Sequence, residues 1–163
     1  MLRVEGPELT AIRPYFKVAA QVAKRAKCER ARCGAIIIKG DVMLGQGFNG
    51  PPLGKESNRT CLAEWDRSKK PKYDLTCCIH AEWRAIVDAA KKHGDEVLGS
   101  RLYFMRVDDK GQLTDAGVPF CTVCSRLTME AGIAEFALWN NGGADIYAAD
   151  EYDRLSFDYF RKQ

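Results

Sequence analysis

The sequence predicts an α/β protein, a three-layer α/β/α sandwich with helices on both faces of a central mixed sheet of about five strands. Three observations carry this. Segments with helical apolar spacing alternate with short apolar runs, in the order helix, strand, strand, helix, strand, helix, strand, strand, helix. The run Gly34-Ala35-Ile36-Ile37-Ile38 is apolar without a break, as in a strand covered on both faces. At 163 residues, 46% of them hydrophobic, the chain can bury one proper core and reads as one domain.

Taken in order, residues 7–27 read as the first helix. Leu9, Ile12, Phe16, Ala19, Ala20 and Ala23 form its stripe, and Pro14 leaves open whether it starts at Pro7 or at Pro14. Residues 34–39 and 42–48 read as two strands joined by a two-residue turn at Gly40 and Asp41. The second strand runs into Gly47-Phe48-Asn49-Gly50-Pro51-Pro52-Leu53-Gly54, whose glycines and prolines make a constrained loop. Asn49 there reads two ways, as an amide presented as a fixed donor and acceptor or as a residue taking a left-handed turn. Residues 55–78 are a polar insert loop with room for one helical turn at 62–67. Its Lys69 to Lys72 run reads as solvated surface, and Arg59 or Lys55 is the candidate to meet a phosphate.

Thr76-Cys77-Cys78-Ile79-His80-Ala81-Glu82 opens the clearest helix, with Ile79, Trp83, Ile86, Val87 and Ala90 as its apolar stripe and Gly94 as its stop. His80 and Glu82, two residues apart, are separated by about 200° on a helix. They can approach one object only off the helix end, where a metal ion would be held by His80 with Glu82 beside it. After a strand at 101–107 and a turn at Asp108 to Gly111, residues 112–118 form either a lid or a surface hairpin. Cys121 and Cys124 then open a second helix, with Phe120, Val123 and Leu127 on one face and Gly132 as its stop. A helix N-terminus favours thiolate over thiol. One His and two Cys give three ligands, one short of a closed tetrahedral site, which is the open position a catalytic zinc needs. Read separately, the halves have plainer accounts: a redox pair or half a zinc knuckle for the cysteines, a helix cap for the histidine. Strands at 134–139 and 144–149, turned by Asn141 to Gly143, and a closing helix at 150–162 capped by Asp150 complete the chain.

His80-Ala81-Glu82 followed by Cys121-x-x-Cys124 resembles the zinc-dependent cytidine/deoxycytidylate deaminase superfamily. Cys33-Gly34-Ala35 together with the 47–54 loop is most similar to the deoxycytidylate deaminases within it. The resemblance covers roughly residues 28–139, within one deaminase domain of residues 1–163. It implies the cytidine-deaminase-like fold, a zinc ion on His80, Cys121 and Cys124, and Glu82 as proton shuttle in hydrolytic deamination of a dCMP-like aminopyrimidine nucleotide. It also implies that Asn49 reaches a sugar hydroxyl. A backbone N–H at Ala81 could bind the base carbonyl. Phe48, Phe120 or Trp139 could wall the ring, each being as readily simple core.

Some deoxycytidylate deaminases use the insert for a second, structural zinc. Cys28, Cys33, Cys61, Cys77 and Cys78 are the residues that would supply it here. Their spacings form no recognisable zinc knuckle and the chain has only two histidines, so buried free thiols and a single zinc are the expectation. Three departures leave the nucleotide open: Phe120 between Pro119 and Cys121, Trp83-Arg84 where the family continues x-Asn, and the long connection at 108–118.

Other readings keep the motif and change its use: a deaminase of cytidine, guanine, a modified base or tRNA adenosine, a zinc-stabilised binding module without catalysis, or a thiol redox protein. A net charge of only +3 argues against a nucleic-acid partner. Seven cysteines with no signal peptide or membrane span point to a reducing, cytoplasmic compartment. By resemblance the chain is a homo-oligomer.

Overall fold

Side-chain alternation along the strands sorts the core into two halves. On β2 (Arg32–Lys39), Ala35 and Ile37 face one way and Ile36 and Ile38 the other, and all four are buried. The same holds on β4 (Arg101–Val107), where Leu102 and Phe104 share the first side, and Tyr103, Met105 and Val107 the second. A sheet apolar on both faces needs a helical layer on each. The computed structural model, which describes residues 1–29, 31–60 and 78–161, shows how the chain supplies them.

Helix α1 (Gly6–Ala23) covers the second side, packing Phe16, Ala19 and Ala23 against Ile36, Tyr103 and Trp139. It runs unbroken through Pro14, which lies on its exposed face. The first side carries α2 (Ala81–His93), α3 (Thr122–Glu130) and α4 (Ala149–Arg161). Tyr152 of α4 stacks on Phe136 with ring centroids 3.9 Å apart.

The sheet has seven strands rather than about five. Its order is β1 (Leu2–Val4), β7 (Gly143–Ala148), β6 (Glu135–Asn140), β4, β2, β3 (Val42–Phe48), with β5 (Leu113–Thr114) added to β4. The two extra strands are three and two residues long, too short for an alternation to register in sequence. Among the described residues only β4 and β6 pair in parallel, so the sheet is mixed. Because β6 pairs with residues 101–104 of β4, the edge beyond is free, and Thr114 and Leu113 take it opposite Arg106 and Val107. Residues 112–118 are thus a surface hairpin. It is fastened by Ala116 N–H donating to the Trp139 carbonyl and by Asn140, whose amide bonds both backbone groups of Gly117.

Helix α2 lies so close along β3 that glycine is required beneath it. A Cβ on Gly45 would meet the Ala85 carbonyl oxygen at 2.4 Å, and one on Gly47 the Ala81 oxygen at 2.3 Å. The buried stripe of α2 is correspondingly small: Ala81, Ala85 and Ala89, with Ile86 and Glu82. The stripe expected from periodicity is displaced, since Val87 is 46% exposed and Ala90 faces solvent. On α3 the same correction applies, with Cys124, Ser125 and Thr128 buried and Val123 outward. α4 starts one residue early, leaving Asp150 in its first turn. Cys61, Cys77, the 62–67 turn and the 69–72 lysines fall outside the described residues.

Candidate active site

Two helix starts meet at one end of the sheet. α2 begins at Ala81, and His80 stands immediately before it in extended conformation, φ −68° and ψ 154°. His80 is therefore outside the helix, and the angular separation expected of two helical residues does not constrain it. The approach to α2 is pinned by a two-way backbone bridge between Ile79 and Gly50, with N···O distances of 2.9 and 3.3 Å. Arg84 reinforces it by donating to the carbonyls of Gly50 at 3.2 Å and Pro51 at 2.6 Å. On α3, Cys121 is the N-cap, its sulfur accepting from the Cys124 N–H at 3.4 Å.

These anchors bring His80 Nδ1 to 3.1 Å from Cys124 Sγ and 3.6 Å from Cys121 Sγ, with the two sulfurs 3.0 Å apart. Glu82 is buried beside them at 7% exposure. Its carboxyl is raised above the usual carboxylate range by burial, against the pull of the His80 charge and its own backbone N–H. Burial alone would lower His80, but the bond to Cys121 and the Glu82 charge leave it raised. The two thiols diverge. Cys121 falls to about 4, as Cys124 and then His80 bond to its sulfur, while burial and the Cys121 thiolate drive Cys124 well up.

One buried thiolate is thus stabilised by the protein itself and a second is not. A doubly charged cation would let both ionise, and an imidazole nitrogen with two sulfurs is a donor set suited to zinc. Among the described residues this is one group of metal-ligating side chains that converges, its ligand atoms all within 4.8 Å of one another. The residues fit the ion.

The remaining expected residues are placed as follows. Asn49 is buried at the mouth of β2, its Oδ1 accepting from the Cys33 N–H at 2.9 Å and its Nδ2 donating to the Ala31 carbonyl at 2.8 Å. One N–H and one lone pair of the amide are left over. Ala81 is wholly buried in the first turn of α2, where backbone N–H groups lack helical partners. Arg59 is committed to Glu56 at 2.7 Å and to the Lys27 carbonyl at 2.7 Å. Phe48 and Trp139 pack on the α1 side of the sheet, away from the cluster, Phe48 between the guanidinium groups of Arg25 and Arg84. Of the further cysteines among the described residues, Cys33 is a buried free thiol, and Cys28 and Cys78 are half-buried.

In sequence Trp83 stands out only as part of the apolar stripe and Arg84 only as a departure from the family pattern, with no site role for either. Trp83 stacks on the His80 ring, and Arg84 ties the loop to the helix start. Their signal was the departure from the expected x-Asn continuation, which marks where this chain supports its site differently.

Comparison with known proteins gives the same picture. A family model for the cytidine and deoxycytidylate deaminase zinc-binding region matches residues 10–139. The deoxycytidylate deaminase of Mycobacterium phage D29 is 27% identical over 125 residues, covering 73% of this chain and 86% of that protein. The deoxycytidylate deaminase of Schizosaccharomyces pombe is 25% identical over 140 residues, 83% of this chain, but the match spans only 38% of the yeast protein's length. The crystal structure of the dCMP deaminase from cyanophage S-TIM5, in complex with dCMP and dUMP, superposes with a TM-score of 0.54 at 26% identity, covering 81% of each chain.

Proposed function

The chain belongs to the cytidine and deoxycytidylate deaminase zinc-binding family, and we propose that its substrate is an aminopyrimidine nucleotide of the dCMP type. The reaction is hydrolysis to the uracil form with release of ammonia. The observation that carries this reading is a buried carboxyl, Glu82, set against the converging donors of His80, Cys121 and Cys124.

Zinc, which those three side chains would hold, would supply the Lewis acidity that makes a water acidic enough to act as nucleophile near neutral pH. Glu82 takes the proton from that water and delivers it to ring nitrogen N3 as the water's oxygen bonds to C4. The C4–N4 bond then breaks, and the second proton of the same oxygen travels through Glu82 to the departing ammonia. A carboxyl raised by burial suits this work, because it is a stronger base than an exposed carboxylate and so takes and passes on a proton more readily. The free N–H groups at Ala81 face the base carbonyl in this reading, and the spare donor and acceptor of Asn49 meet the sugar. The whole chain is read as one deaminase domain acting as a cytoplasmic homo-oligomer on a small nucleotide. The buried thiol of Cys33 suits a reducing compartment, and no described helix is long and apolar enough to cross a membrane.

The test is ammonia release by the zinc-loaded protein against cytosine, cytidine, deoxycytidine, dCMP, dCTP, guanine and adenosine, in parallel with Glu82→Ala. Turnover of dCMP above the others, abolished in the variant while zinc content stays near one equivalent, supports the reading. Turnover of another panel member replaces the substrate and keeps the chemistry.

A further inference from the structure

Most arginines that touch the body of this protein are spoken for. Arg101 pairs with Glu135 at 2.6 Å, Arg3 with Asp145 at 2.9 Å, Arg59 with Glu56 at 2.7 Å, and Arg84 holds two carbonyls. Arg106 is different. Its Nε is buried without a hydrogen-bond partner, and among the described residues it forms no ion pair. An orphaned donor on a half-buried cation is costly unless something else satisfies it.

The position of Arg106 says what that is. It follows Leu102 and Phe104 at two-residue spacing on β4, so it shares the sheet face that carries α2, α3 and the ligand cluster. It stands near the end of the strand, one pleat beyond the covered core. Its cross-strand neighbours are Cys33 on β2 and Thr114 on β5, neither of them acidic. Its guanidinium carbon lies 6.0 Å from the centroid of Phe120, the residue directly before Cys121. The buried Cys33 thiol is influenced by both Arg106 and the Glu82 charge. The 113–114 strand pairs with the backbone of Arg106 on the side away from β2.

We propose that Arg106 is a specificity-determining residue that binds the anionic phosphate of the nucleotide, its guanidinium held in place by Phe120 and by the β5 hairpin. This rests on the nucleotide reading above and deepens it. An arginine with an unpartnered Nε and a guanidinium outside any ion pair among the described residues keeps the forked donor set that matches phosphate oxygens. Phosphate binding there would satisfy the orphaned donor and exploit a site partly shielded from water, where the charge pair gains strength. A nucleoside would leave the cation unmatched, so the residue would sort nucleotides from nucleosides.

The test compares binding of dUMP and deoxyuridine to the zinc-loaded protein by calorimetry, for the parent, Arg106→Gln and Arg106→Lys, alongside kcat/KM for dCMP and deoxycytidine. Loss of a charge-assisted forked contact predicts that Arg106→Gln weakens dUMP by about 10- to 100-fold and leaves deoxyuridine unchanged. Arg106→Lys should recover only part of the loss, because an ammonium keeps the charge and not the fork. Equal weakening of dUMP and deoxyuridine, or no change in either, overturns the proposal. If Arg106→Gln does not fold, Arg106→Lys decides it, and an unaltered dUMP-to-deoxyuridine ratio there overturns it. A parent protein that turns over neither dCMP nor deoxycytidine removes the nucleotide reading, and tight dUMP binding that depends on Arg106 would still uphold the phosphate contact.

Discussion

The indole of Trp83 stacks on the imidazole of His80, ring centroids 5.0 Å apart and planes 23° from parallel. The contact sets the plane of the histidine while its Nδ1 faces the two sulfurs. Outer-shell partners of this kind carry about 10- to 100-fold in metal affinity. Trp83→Leu is therefore expected to weaken zinc retention against a competing chelator by about 10-fold, with Trp83→Phe close to the parent. Unchanged retention in the leucine variant would mean that the backbone before α2 orients His80 unaided.

Asn49 holds the mouth of β2 together before it touches any substrate. Asn49→Ala leaves the Cys33 N–H and the Ala31 carbonyl without their partners. A cost on the order of 2 kcal/mol in urea unfolding is expected, together with a raised KM. A variant of full stability with only KM changed would assign Asn49 to substrate alone.

The glycines beneath α2 separate stability from site geometry. Gly47→Ala drives a methyl group into the Ala81 carbonyl at the start of the helix, and Gly45→Ala into that of Ala85 one turn on. Each should cost about 3 kcal/mol of stability. Only the first displaces the residues flanked by His80 and Glu82, so zinc affinity should fall further in Gly47→Ala. Equal zinc affinities in the two variants would refute this division.

Alkaline stability carries the mark of Cys33. Burial pushes its thiol up to about 12, the Glu82 charge adds to the effect, and Arg106 opposes it. An unfolded thiol ionises near about 8.5. Above that pH the unfolded chain has lost a proton that the folded one keeps, so stability falls as pH rises through the window up to about 12. The loss is at most about 1.4 kcal/mol per pH unit. Cys33→Ala should flatten this part of the alkaline limb, measured as urea midpoints between pH 8 and 10.5. Parallel limbs in parent and variant would rule Cys33 out as their source.

The parts that were legible in sequence are those with a period or a fixed spacing. The Ile36 to Ile38 run, the Gly40 turn and the converging trio of His80, Cys121 and Cys124 all declare themselves locally. The helix faces did not. On α2 and α3 the residues Val87 and Val123 point outward, because the face against the sheet is filled mostly by small residues, the alanines of α2 and Cys124, Ser125 and Thr128 of α3, with Ile86 as the large apolar exception. Hydrophobic size is a poor guide where backbones press close. β1 and β5 were invisible because so few residues make them. Trp139 and Phe48 read as ring walls from their types, yet strand alternation sends both to the α1 side. Arg106 gave no pattern at all, since one arginine on a strand means something only once its neighbours are known.

The parallel pairing of β4 with β6 has a kinetic consequence. The β2–β3 and β6–β7 hairpins close over short stretches of chain and can form early, whereas β4 and β6 must wait for the chain to cross back through α3. His80 precedes β4 and the cysteines open the crossover, so their meeting belongs to the slow, non-local part of folding. Zinc capture is thereby a reporter of topological completion. A chelator present during refolding should leave the early hairpin phase untouched, and it should act on the final phase and on the rate at which the finished protein comes apart.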